Sequence, residues 1–345
     1  MMVAMALAGC GGGQVGPGGT PGSAGSSGSA GSIGHAGTNG GAGTTGSAGT
    51  TGSTGSGGTT GYIGSSGCGL FSGDDPWNLD VTTMAVNADY SSRIANVLSN
   101  FTNIHPDFGP DFGIPITIVP STQPKVPVTF DSYPEESDPG PYPFPGPTVA
   151  QVEGTSDPTN CSGDCHLLVV QMGACQDYEG YGCQYDADGW HCANGAHWDL
   201  TKKSTGQRPD GWTSADAAGL SIYAGLARYE EVMAGEITHA IRFTLPCTSD
   251  ADVPPATHMA GHCPSGKNGP PMGTRIRLKA DYDISTFAAI PQVFLRAFKK
   301  YGLILADNGG SSSGLYFQSE QNPMWPDAVQ DLKGVPISAF EAIGP

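Results

Sequence analysis

Positive charge is scarce in this chain: 15 lysines and arginines stand against 32 aspartates and glutamates, a formal net charge of −17. A surface this acidic repels phosphate backbones, so nucleic acid is not an expected partner. Long apolar runs are missing too, and nothing approaches the ~20 residues that cross a bilayer as a helix. Standard catalytic signatures are absent: there is no Gly-x-Ser-x-Gly elbow, no P-loop, no His-Glu-x-x-His and no dinucleotide-binding glycine fingerprint. No cofactor is therefore expected. Charge of either sign is also missing from the whole N-terminal part, where the first charged side chain is Asp74.

Two patterns occupy that uncharged segment. Residues 1–10 end Leu7-Ala8-Gly9-Cys10, small residues leading into a cysteine, which resembles the lipobox cut by bacterial lipoprotein signal peptidase. Cys10 is then the expected site of lipidation, and membrane attachment would run through lipid alone. The basic residues and longer apolar stretch of a complete signal peptide do not precede it, which points to a start codon placed too late. From Gly13 to Gly67 a glycine recurs at every third position. This is the collagen period, but Pro17 and Pro21 are the only prolines in the tract. Without proline the backbone must lose much more entropy to enter a polyproline-type helix. Residues 11–73 are accordingly expected to form a flexible stalk, and residues 74–345 a single disulfide-bonded globular domain.

Nine cysteines leave eight once Cys10 is assigned to lipid, an even number that suits four disulfides in an exported protein. Cys247 and Cys263, flanking a proline-rich loop, form the strongest candidate pair. The competing reading is zinc held by Cys161, Cys165, Cys175, Cys183, Cys192, His191 and His197. Their irregular spacing argues against it, and no metal is expected.

Short β-branched or aromatic runs separated by Pro/Gly loops predict strands at Ile116–Val119, Val126–Phe130, His166–Gln171, His239–Leu245, Arg275–Lys279, Leu303–Ala306 and Leu315–Gln318. Helical spacing is rarer, at Ala88–Leu98, Leu226–Ala234 and Gln292–Tyr301. The expected fold is β-rich, a β-sandwich or jelly-roll-like body with peripheral helices; the alternative is a two-layer α+β domain. Pro134–Pro147 is too proline-rich for a central strand and is expected as a stiff loop with its aromatics on the domain surface.

The strings Pro124–Phe130, Gly211–Leu220, His239–Thr244, Ala306–Gly309 and Ser338–Glu341 resemble a family of uncharacterised secreted bacterial proteins. The resemblance runs from about residue 110 to the C-terminus. It implies a recurring extracellular module, with the cysteine-rich stretch Cys161–Cys192 as an elaboration, and carries over no catalytic residue.

Candidate chemistry therefore rests on polar residues placed against pattern. Glu179 and Asp199 are read as lying on either side of the cysteine-rich insert; brought together by its ends, two carboxyls with separated pKa values are the minimum equipment for glycoside hydrolysis. Asp216 and His239 are the expected assistants. By period-two alternation His239 shares a face with Ile241, Phe243 and Leu245, and reads as a buried imidazole or a general acid/base. Thr213 or Ser214 is expected to cap a helix with Asp216 in its first turn. Trp198 and Trp212 would stack on sugar rings, with Arg228, Arg242 and Asp307 as further substrate-binding groups. Arg275, Arg277 and Lys279 form a cationic stripe suited to acidic groups. The function expected is that of a lipid-anchored protein, exported to the outer membrane or cell surface, whose domain acts on an extracellular polysaccharide or cell-surface glycan as a hydrolase. The alternatives are a non-catalytic carbohydrate-binding or adhesion module, and a metal-dependent enzyme using His166, His191, His197, His258 and His262.

Overall fold

The computed structural model describes residues 66–109, 112–261, 263–309 and 314–344. Cys10, nearly all of the glycine-repeat tract and His262 lie outside the described residues. The end of that tract belongs to the folded body: Ser66 is buried with its hydroxyl 3.2 Å from the Tyr223 hydroxyl, and Phe71 is in the core. The domain boundary therefore falls before residue 74.

Among the described residues, thirteen strands and four α-helices follow in the order α1 (Ala88–Val97), β1 (His105–Asp107), β2 (Ile116–Pro120), β3 (Val128–Phe130), β4 (Leu167–Met172), β5 (Gln176–Tyr181), β6 (Gln184–Asp186), β7 (Gly189–Cys192), β8 (Asn194–Asp199), α2 (Ile222–Gly225), α3 (Tyr229–Ala234), β9 (Ile241–Leu245), β10 (Arg275–Leu278), α4 (Ala289–Lys300), β11 (Leu303–Asn308), β12 (Tyr316–Gln318) and β13 (Phe340–Ile343). This is the β-rich architecture with peripheral helices that the sequence predicts. The strands form a six-stranded sheet in the order β1-β12-β9-β11-β10-β13, a four-stranded sheet β2-β4-β5-β8 and a three-stranded sheet β3-β7-β6. All three are mixed, with parallel pairs β1/β12, β9/β11, β2/β4 and β3/β7. Parallel neighbours need long crossovers, which the Pro/Gly-rich connections supply.

Strand β9 lies inside the large sheet, and all five of its residues are buried, as expected of a strand covered on both faces. One face packs on α4 through Phe294 and Phe298, which meet Phe317 of β12 at ring distances of 6.1 and 5.1 Å. Helix α4 begins at Ala289, earlier than predicted, because Pro291 sits in the first turn where no backbone N–H is needed. Helix α3 begins at Tyr229 rather than Leu226: the Glu231 carboxylate accepts from the Arg228 N–H at 2.8 Å, and Gly235 closes the helix in the left-handed region at φ 94°.

A second core lies around the cysteine-rich strands. Tyr142 and Phe144 of the proline-rich loop are fully buried there, and Tyr142 packs on Tyr178 at 5.2 Å. The loop's aromatics therefore build the core rather than decorate its surface. Four disulfides, Cys68–Cys175, Cys161–Cys165, Cys183–Cys192 and Cys247–Cys263, use every cysteine except Cys10. Such pairing belongs to an oxidising, extracellular or secreted setting. No described helix is long and apolar enough to cross a membrane.

Candidate functional site

The expected pair Glu179 and Asp199 does not converge. Strands β5 and β8 pair antiparallel with Glu179 opposite Ala196 and Asp199 opposite Gln176. Cross-strand partners share a face and successive residues alternate, so the two carboxyls project to opposite sides of the sheet. Asp199 holds the following turn, accepting from the Thr201 N–H at 3.0 Å and pairing with Lys202 at 2.8 Å. Burial opposes ionisation there, but Lys202 and Thr201 bring the carboxyl down to about 2. Glu179 is completely buried beside Asp177 and anchors the start of α2, accepting from the backbone N–H groups of Ile222 at 3.1 Å and Tyr223 at 2.8 Å. Neither carboxyl is placed to protonate a substrate.

Other expectations are also corrected. Trp198 is a core residue, edge-on to Phe71 at 6.3 Å, and offers no platform to a sugar. Trp212 is half-buried, with the Arg208 guanidinium 5.5 Å from its ring centre. His239 is sealed in the interior. Its Nδ1 donates to the Ala240 carbonyl at 2.6 Å, and Nε2 faces Arg228 at 3.0 Å and Glu231 at 3.1 Å. Arg228 is occupied by Glu231 and by the Tyr223 carbonyl, so this cluster ties α3 to the residues leading into β9 rather than reaching a ligand. Arg275, Arg277 and Lys279 stitch neighbouring segments to β10: Arg275 donates to the Pro76 carbonyl, Arg277 pairs with Glu341 at 2.8 Å and Lys279 donates to the Ser338 carbonyl at 2.8 Å. Among the described residues, no group of three or more His, Cys, Asp or Glu side chains is arranged to hold a metal ion.

Asp216, Arg242 and Asp307 do come together. No helix begins at Asp216. Instead its carboxylate receives Nε and Nη2 of Arg242 at 3.1 and 2.7 Å, a bidentate contact in the buried interior. The same Nη2 lies 3.7 Å from Asp307 Oδ2, while the buried Nη1 of Arg242 has no partner. Burial raises the Asp216 carboxyl despite Arg242. Burial, reinforced by Asp216, pushes Asp307 up to about 7 against the pull of Arg242. The Asp307 side chain is 29 % exposed, the most open of the three.

Facing this group is His166, just before β4. Nδ1 contacts the Glu153 carboxylate and Nε2 lies 3.1 Å from the Ala215 carbonyl. Both ring nitrogens meet acceptors, which is the pattern of an imidazolium. Burial works against that charge, but Glu153 overrides it and the ring is raised to about 9. Glu153 also resists burial and is held below its ordinary value by His166, with a smaller contribution from Arg242. Two carboxyls in one field are thus pushed apart, Asp307 upward and Glu153 downward.

Sheet register extends the site. Asp107 pairs with Gln318 in β1/β12, and the β12/β9 register carries Gln318 alongside Arg242. In the next row His105, Tyr316, Thr244 and Asp307 are successive cross-strand partners. One face of the large sheet therefore presents His105, Asp107, Tyr316, Gln318, Arg242 and Asp307 together. Asp107 is pushed up to about 7 by burial, opposed by Lys333 and reinforced by Glu153.

Sequence reasoning named Asp216, Arg242 and Asp307 but missed Asp107 and Glu153, and considered His166 only as a metal ligand. Asp107 sits on a strand of three residues containing a proline, and Glu153 on a loop; neither carries a periodic signal. No family model, curated protein or solved structure matches the chain.

Proposed function

We propose that this domain is an extracellular glycan hydrolase working by general acid–base catalysis, held at the cell surface through a lipid on Cys10 and a glycine-repeat stalk. The observation that carries the reading is Asp307: a partly exposed carboxyl, raised to about 7, sharing the Arg242 guanidinium with a second carboxylate. Protonated Asp307 donates to the glycosidic oxygen as the bond to the leaving sugar breaks. Glu153, kept ionised by His166, is the carboxylate that meets the positive charge growing on the sugar ring or takes a proton from the attacking water. Arg242 and Asp216 fix the acid's position and its field. Carboxyls whose environments drive their pKa values apart are what such a division of labour requires.

Buried Trp198 takes away one of the two tryptophans that a binding module would use. The test is release of reducing ends from a panel of polysaccharides by the wild type and by Asp307→Asn. A loss of about 10²-fold or more in the variant, with its circular dichroism unchanged, is expected for removal of a general acid. Equal rates would refute the assignment of Asp307, and no release from any polysaccharide would refute the hydrolase.

A further inference from the structure

Away from Asp307, the same sheet face runs onto edge strand β1 and ends in a separate pocket of about 250 Å³. Its lining includes Phe101, Asn103, His105, Gly314, Tyr316 and Lys333. Cross-strand partners His105 and Tyr316 stack their rings on one another, with centres 4.5 Å apart and planes tilted by 34°. The His105 side chain is 42 % exposed, with Nδ1 3.2 Å from Asp107 Oδ1, so the stack offers one outer ring face to a ligand. Burial, with Lys333 adding to it, holds His105 below its ordinary value. Lys333 is the one lysine or arginine among the lining residues, and the Asp107 carboxyl stands behind the stack, within the field of Lys333. Gly314 helps keep the pocket clear: a Cβ there would sit 3.1 Å from the Phe101 ring, tighter than ordinary contact.

These features describe a site with one apolar wall and one cation. Its volume falls below the ~300–1,000 Å³ of sites that enclose a whole ligand, and so suits a single ring of a longer chain. Aromatic faces accept the C–H face of a sugar, and an ammonium recognises a carboxylate as a point charge. His105 and Asp307 stand in one cross-strand row, three strand spacings or about 14 Å apart, a separation that a few linked sugars would span.

We propose that this pocket is a subsite for a sugar ring carrying a carboxylate, a uronic-acid residue of the glycan, with the ring against the outer face of the His105–Tyr316 stack and its carboxylate on Lys333. The proposal rests on the hydrolase reading for the direction of the chain, but binding at the pocket can be measured without cleavage. The experiment is a calorimetric titration of the Asp307→Asn protein, in which cleavage is slowed, with methyl β-glucuronide and methyl β-glucoside. The glucuronide should bind roughly tenfold more tightly, as one charge-assisted contact implies. Lys333→Gln should abolish that preference, and Tyr316→Ala should weaken both sugars. Absence of binding, equal affinities, or a preference that survives Lys333→Gln would overturn the subsite. If the preference is found but no polysaccharide is cleaved by the wild type, the subsite stands and the hydrolase falls. Cleavage confined to neutral glycans, without the preference, would leave the hydrolase standing and remove the subsite.

Discussion

Replacing Asp177 by asparagine should change how the stability of the domain depends on pH. Asp177 and Glu179 are two residues apart on β5, point to the same side and are both fully buried. The Ser221 hydroxyl lies 3.2 Å from Asp177 Oδ2 and 3.0 Å from Glu179 Oε1. It has one hydrogen, so it can donate to only one of them, and the second carboxyl must bring its own proton. Glu179 already accepts two backbone N–H groups, which favour its ionised form; Asp177 Oδ1 receives no hydrogen bond. The shared proton therefore resides mainly on Asp177, whose pKa is driven far upward by burial and then by Glu179. In the unfolded chain an aspartate releases its proton near pH ~3.9. A folded pKa above the unfolded one gives stability that is complete below the unfolded value and is lost as pH rises toward the folded value. Over that window one retained proton costs about 1.4 kcal/mol of stability per pH unit. The amide introduced by Asp177→Asn would donate to Glu179 as the protonated carboxyl does, but has nothing to release. Urea unfolding of both proteins at pH 5, 6 and 7 should show the variant gaining on the wild type by about 1.4 kcal/mol per pH unit. Parallel stability curves would refute the shared proton.

Three further substitutions probe other parts of the structure. Removing the Cys247–Cys263 bridge, which closes a separation of 16 residues, should cost about 3 kcal/mol, read as a lower urea midpoint. Arg242→Met strands Asp216 in the interior and should destabilise by about 3–5 kcal/mol; a thermal midpoint unchanged from wild type would show that the pair is not buried as described. Gly225→Ala would place a Cβ 2.7 Å from the Arg242 Cβ and 2.8 Å from the Trp77 ring, which should cost about 1–3 kcal/mol and be visible as a fall in melting temperature.

The strands of the large sheet were legible because their residues are apolar and β-branched or aromatic: Ile241–Leu245, Leu303–Asn308 and Tyr316–Gln318 all lie where the runs predict. The strands around the cysteines were not. Gln176–Tyr181 and Asn194–Asp199 are polar, glycine-containing segments whose pairing is supported by the Cys183–Cys192 bridge and the aromatics of the proline-rich loop rather than by their own pattern. That gap misled the reading of the site. Without the β5/β8 register nothing in the sequence reveals that Glu179 and Asp199 face opposite ways. Arg242 was visible as a charge on an otherwise apolar strand, and Asp307 as an acid directly after the predicted strand Leu303–Ala306, which in the structure runs on to Asn308. Their partners Glu153 and Asp107 come from a loop and a three-residue strand, and only the folded chain brings them near.

The most direct measurement is the pH dependence of kcat/KM on a polysaccharide that the domain cleaves, for wild type and Asp307→Asn. A general acid must be protonated to work, so wild-type activity should fall as pH rises through about 7, the value to which burial and Asp216 lift Asp307. The residual activity of the variant should lack that alkaline limb. A limb of the same position and steepness in both proteins would contradict the account.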